Sequence, residues 1–337
     1  MSSNKTLQKV YFEINKDYSN SQKLINNQAN TITNIATSKG LAAINPSLYN
    51  YLSDLISSSY EVLEDYTNIQ IDIMPIRGNI IDWLLVISDL ITITQETFFK
   101  TITLFDKYIS KLTNEEKEAN KLHFIAVVCF FISYKFEETG VMTLEFVSEK
   151  LLRSKYTKKE ILAQETQILC TLNFRLNFPT INTFSNIIIE AFKSYQAEQE
   201  QTINTYQLDQ AYASKLKNFI PKLACIFNFV NKISLFVDEF IFGTKPFKLA
   251  IINLKTTFML MKNLGILDNK TFNCDSLMNE LAGDFLNEKQ FKQIDIMAKG
   301  LYLAIMNQEK TGCHEKIFED YYGGMELILK QEMVNCL

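Results

Sequence analysis

Three ionisable residues, Lys135, Glu137 and Glu138, stand together where the most apolar run of the chain, LHFIAVVCFFISY (122–134), comes to its end. Charges at the end of a helix usually lie on solvated surface. Glu137 and Glu138 are adjacent, so they point to different sides of a helix and do not form a paired acid–base site. The two histidines, His123 and His314, are far apart in sequence, and His123 falls early in an apolar helix, where it packs or caps rather than catalyses. No Gly-rich phosphate loop, GxSxG or HExxH occurs. The six cysteines (129, 170, 225, 274, 313, 336) show no CxxC pair, and the neighbours Cys313 and His314 supply only two ligands. The expectation is a chain without catalysis of its own, and with no metal or cofactor.

The composition agrees with a binding role. A net charge of −4 and only three arginines (Arg77, Arg153, Arg175) give no surface for nucleic acid or anionic membrane. The apolar run has 13 residues, against about 20 needed to span a bilayer. The opening MSSNKTLQKV is polar and reads as no signal peptide, and the scattered cysteines read as reduced thiols. The expected location is intracellular, with no basic cluster to separate nucleus from cytoplasm.

Ten glycines and five prolines are few for 337 residues, which favours helices over turn-rich β structure. Residues 1–45 read as a flexible polar tail. Residues 46–74 hold an N-terminal helix and linker, with Pro46 in the first turn and Leu48, Tyr51, Leu52, Leu55 and Ile56 on one face. Helices then follow one another: IRGNIIDWLLVISDLI, ETFFKTITLFDKYIS behind a Thr94 cap, the apolar run behind TNEE (113–116), TLEFVSEKLL, and YTKKEILAQETQILCTLNF with Thr157 and Glu160 at capping-box spacing. Pro179 in NFPT closes this block at 75–179. A second apolar helical block occupies 180–307, and 308–337 form an extension expected to be helical.

Four segments occur in a fixed order: IRGNIIDWL (76–84), LFDKYIS (104–110), SYKFEE (133–138) and YTKKEILAQETQILCTLNFRLNFPT (156–180). Together they resemble the cyclin box, most nearly that of the A/B-type cyclins, whose forms read roughly MRAILVDWL, YIDRFLS, ASKFEE and YTKxxILxMExxILxxLxFxLxxPT. The resemblance implies an all-α protein of two tandem five-helix cyclin-box folds. It further implies a regulatory subunit that binds and activates a cyclin-dependent Ser/Thr protein kinase. Lys135 and Glu165 match the pair that contacts the C-helix of the kinase. Phe136, Leu169 and Leu176 match apolar contacts to the same surface, and Leu48 and Tyr51 match the helix before the box. Arg77 and Asp106 match an internal ion pair. The alternative is a cyclin-fold scaffold or assembly protein, for instance in a cytoskeletal complex.

The sequence departs from the family at the groove that holds RxL peptides of substrates and inhibitors. Its positions are Ile76, Asn79, Ile80, Trp83, Val86 and His123. Asn79 puts an amide where an aliphatic side chain is expected, Val86 replaces an acid, and His123 replaces a glutamine. The expectation is a degraded groove with a different peptide preference or none. No Arg precedes Arg77, residues 1–45 lack KEN, and no Ser-Pro or Thr-Pro dipeptide occurs. The usual handles for timed destruction and proline-directed phosphorylation are therefore missing.

Overall fold

The computed structural model describes residues 45–61, 74–113, 119–206, 210–237, 244–267, 278–279, 281–311 and 317–326. The polar tail before Asn45, the capping-box spacing at 113–116, and Cys313 with His314 lie wholly or mostly outside them. All regular elements among the described residues are helical.

Helix α1 (Pro46–Glu61) precedes a first bundle of α2 (Met74–Ile91), α3 (Gln95–Ile109), α4 (Ala119–Glu137), α5 (Leu144–Phe146) and α6 (Lys158–Thr171). Every residue of α4 from Phe124 to Ser133 is buried. A helix apolar on all sides must be surrounded, and α3 packs along it most extensively, with α2 and α6 on other sides. Local rules set the ends. The Thr94 hydroxyl accepts from the Thr97 amide at 3.2 Å and starts α3. Thr157 and Glu160 close a full capping box at α6, with the Thr157 amide donating to Glu160 Oε2 at 2.7 Å.

The expected helix TLEFVSEKLL is only partly α-helical. After α5 the chain widens into a π-helical turn, Val147–Leu151. Arg153 and Ser154 then adopt left-handed backbone conformations (φ 51° and 58°), unusual for residues with a Cβ. The Ser154 amide donates to the Ser148 carbonyl at 2.7 Å, and the Ser148 hydroxyl donates to the Tyr156 carbonyl at 2.9 Å, which fixes this turn.

Helices α7 (Ile181–Tyr206), α8 (Gln210–Ser234), α9 (Pro246–Asn263) and α10 (Glu288–Thr311) pack as a second group. Pro221 lies inside α8, and Pro246 starts α9 in the first-turn position that suits a residue without an amide hydrogen. A helical stretch at 317–326 closes on α8 through Phe229, whose ring stacks 4.4 Å from that of Tyr321.

The core of this group is not wholly apolar. Asn253 Nδ2 donates to Asn231 Oδ1 at 2.9 Å and to Ser234 Oγ at 3.0 Å, while Asn231 Nδ2 donates to Ser185 Oγ at 2.9 Å. All four residues are buried, so the network ties α7, α8 and α9 where apolar contacts alone would leave them free to slide. Asn253→Ala is expected to cost about 1–3 kcal/mol, because it strands the Asn231 carbonyl oxygen away from water. Urea denaturation of the variant beside the wild type measures this.

Two residues of the first bundle reach the second. Arg77 Nε and Nη2 grip Asp106 Oδ1 and Oδ2, both at 2.8 Å, and Nη1 donates to the Leu235 carbonyl at 2.5 Å. One guanidinium therefore joins α2, α3 and the end of α8. Glu96, in the first turn of α3, accepts from the Thr180 hydroxyl at 2.8 Å, the Asn182 amide at 2.9 Å and the Thr183 hydroxyl at 3.1 Å. It thereby places a carboxylate at the N-terminus of α7, where the helix dipole favours negative charge.

Candidate functional site

The charges that end α4 do not simply return the chain to solvent. Each has its own partner. Lys135 Nζ pairs with Glu165 of α6 and sits 4.1 Å from the centroid of the Phe131 ring. Glu137 pairs with Lys100 of α3 at 2.5 Å. Glu138 accepts from the Thr94 amide at 2.7 Å, the Thr94 hydroxyl at 2.9 Å and the Thr97 hydroxyl at 2.5 Å. Three successive charges thus fasten the end of α4 to α6 and α3.

Lys100 was not visible as a site residue in the sequence. Its side chain is only 6% exposed. Besides Glu137 it approaches the Leu176 carbonyl at 3.5 Å and the centroid of the Phe136 ring at 4.2 Å. A buried lysine is tolerated only when paired, and here the pairing has a second effect. The ammonium under one face of Phe136 holds that ring in place. The ring nonetheless remains 47% exposed.

The result is a surface at the junction of α4 and α6. The Lys135 side chain is 42% exposed, Glu165 is 12% exposed, and Phe136 stands next to them. Leu169 and Leu176 are half-buried and lean on the core behind. Phe174, which motif matching did not single out, is 65% exposed with a left-handed backbone (φ 56°) just after α6. That conformation turns an aromatic outward, a cue that composition does not carry. Leu48 and Tyr51 lie on α1, which packs most extensively on α7 and is pinned there by the Asn45 amide donating to Ser194 Oγ at 3.1 Å. Tyr51 is exposed and Leu48 half-buried.

Glu138 has a pH consequence. Burial pushes its carboxyl up, but hydrogen bonds from the Thr97 hydroxyl and the Thr94 amide and hydroxyl outweigh this and hold it below the ordinary glutamate range. A folded-state value below the unfolded one gives stability that is present above the unfolded value and lost as pH falls through the folded one. Glu138→Gln is therefore expected to be less stable than wild type at pH 7. The gap should close as unfolding is followed from pH 5 towards pH 3.

The second set of expected residues forms a shallow face between α2 and α4. Ile80 is buried, Ile76 and Trp83 are half-buried, and Asn79, Val86 and His123 are exposed. The Trp83 ring meets His123 edge-on at 5.3 Å and Phe130 at 6.3 Å. Trp83 thus serves both as core filler and as the floor of this face.

Among the described residues no cluster of metal-ligating side chains occurs, and no helix is long and apolar enough to cross a membrane.

Comparison with known proteins defines the class. Residues 48–177 match the model of the cyclin N-terminal domain. The fold resembles the X-ray structure of a viral cyclin from Herpesvirus saimiri, with a TM-score of 0.50 and 15% identity over 74% of this chain and 96% of that one. The first bundle thus matches a cyclin N-terminal domain, and over that stretch the chain is similar to the cyclins. Its curated relatives are of A and B type. Cyclin-A2-1 of Arabidopsis thaliana is 34% identical over 40% of this chain and 29% of its own length. Cyclin-A3-3 of the same plant is 31% identical over 52% of this chain and 55% of its own length. Cyclin-B2-1 is 29% identical over 42% of this chain. The chain spans about half or less of the length of these relatives.

Proposed function

We propose that this protein is a regulatory subunit that binds and activates a cyclin-dependent Ser/Thr protein kinase by docking on its C-helix. The observation that carries the reading is the Lys135–Glu165 pair, held at an exposed edge beside the propped Phe136 ring. A protein kinase is active only when a C-helix glutamate pairs with the lysine that holds the ATP phosphates. A partner that binds only that arrangement shifts the equilibrium towards it. Lys135 suits the free carbonyls at the end of a helix or turn, and Glu165 suits backbone donors nearby. Phe136, Leu169, Leu176 and the outward Phe174 supply the apolar surround. Leu48 and Tyr51 of α1 would extend the contact. The likeness to the viral cyclin covers more than the first bundle, which supports reading 180–307 as a second cyclin fold.

Affinity purification of the tagged protein from its own cells, wild type beside Lys135→Ala/Glu165→Ala, tests the reading. A protein kinase recovered with wild type and lost from the variant is expected. Partners unchanged by the substitutions, with no kinase among them, would instead make the chain a cyclin-fold scaffold.

A further inference from the structure

A cleft of about 280 Å³ opens where the turn between α2 and α3 meets α8. Asp89 and Ile93 line it from the end of α2 and the turn, Thr94 and Phe98 from the start of α3, and Lys232 from α8. It therefore draws its walls from both bundles. Lys232 is its unusual member. The lysine side chain is only 10% exposed, yet its ammonium makes no hydrogen bond among the described residues. Its one ion-pair partner, Asp320, stands 3.7 Å away, and the centroid of the Phe98 ring lies at 5.9 Å. A lysine has three N–H donors, and a buried cation is tolerated when it is paired and those donors are bonded. Lys100 shows that solution at similar burial, with Glu137 at 2.5 Å. Lys232 lacks it and faces a cleft.

We infer that this cleft binds a molecule bearing one carboxylate on a short apolar stem, the acid bonded to the Lys232 ammonium and the stem against Phe98 and Ile93. The surroundings select this chemistry. Phe98 is buried and Ile93 half-buried, so an apolar wall stands beside the cation. Asp89 is exposed at the cleft, Asp320 already shares Lys232, and Glu138 accepts from the Thr94 amide at 2.7 Å. These acids act against a phosphate, whose charge is about −2. A cationic ligand would be set against Lys232 itself. A single carboxylate gives the ammonium a charge-assisted bond with the least repulsion. A free short-chain acid and the glutamate side chain of a protein segment both carry this chemistry. None of the lining residues is among those proposed to meet the kinase, so the two readings stand or fall separately.

The test follows trifluorobutyrate by fluorine NMR in the presence of the full chain. Saturable line broadening is expected, with a Kd on the order of 1 mM for so small a ligand. Lys232→Met keeps a long apolar side chain and removes the charge. It should weaken binding roughly tenfold or more, and circular dichroism checks that it folds. Asp320→Asn removes the competing acid and should tighten binding, a change that a merely structural role for Lys232 would not produce. Butyrate should displace the probe, whereas butylammonium and inorganic phosphate should not. Displacement by a glutamate-bearing peptide at lower concentration than butyrate upholds the inference and assigns the cleft to a protein segment. Displacement by butyrate alone upholds it and assigns the cleft to a free acid. Absence of saturable broadening overturns the inference, as do displacement by phosphate as readily as by butyrate, unchanged affinity in folded Lys232→Met, and weaker binding by Asp320→Asn.

Discussion

Removing Lys135 and Glu165 together is expected to separate binding from folding. The pair is partly exposed, with the lysine side chain 42% accessible, and exposed ion pairs contribute only about 0–1 kcal/mol. The double alanine variant should therefore unfold within about 1 kcal/mol of wild type. In the proposed complex the same two groups would become desolvated against the kinase, where truncating one charged contact costs about 2–5 kcal/mol. That corresponds to a loss of at least about thirtyfold in Kd for the double variant. Calorimetric titration of the recovered kinase into both proteins measures the affinities, and thermal melts supply the folding control. Wild-type affinity in the double variant would remove this edge from the interface.

The opposite pattern is expected at Arg77. Its side chain is 2% exposed, and its three hydrogen bonds all end on buried groups. Arg77→Ala leaves Asp106 as an uncompensated buried charge and the Leu235 carbonyl without its donor. Breaking a buried pair in this way costs about 3–5 kcal/mol, a large share of the roughly 5–15 kcal/mol that holds a protein folded. Arg77→Lys should rescue little, because an ammonium cannot fork to two carboxylate oxygens and a carbonyl at once. Arg77→Met with Asp106→Leu should recover much of the loss, since it removes both charges. Guanidinium denaturation of the four proteins decides the matter. A single alanine variant within about 1 kcal/mol of wild type would refute the account.

The helices were legible in the sequence because their rules are local. The caps at Thr94 and Thr157 need only a residue type and a spacing of three, and both are seen. The apolar run 122–134 announced a surrounded helix. What sequence could not give is the partner of each charge. Glu138 caps a helix 44 residues upstream, and Glu96 serves one that begins more than 80 residues downstream. Lys100 looks like a surface lysine in TFFKTITLF until α4 brings Glu137 and Phe136 to it. The π-helical turn reads in the sequence as ordinary helix because five residues are too few to show a repeat different from that of the α-helix.

Two carboxylates, Glu138 on Thr94 and Thr97 at the start of α3 and Glu96 of that same turn on the start of α7, have a kinetic meaning. The end of α4 that carries Lys135 and Phe136 is anchored at each step to a helix that is itself anchored, as far as the second bundle. Little reordering is left for the moment of encounter. Association should proceed as a rigid-body event, single-exponential, in the range of about 10⁵–10⁷ M⁻¹s⁻¹ typical of preformed patches. Removing Glu96 would slow association with the proposed kinase without touching any residue of the proposed contact.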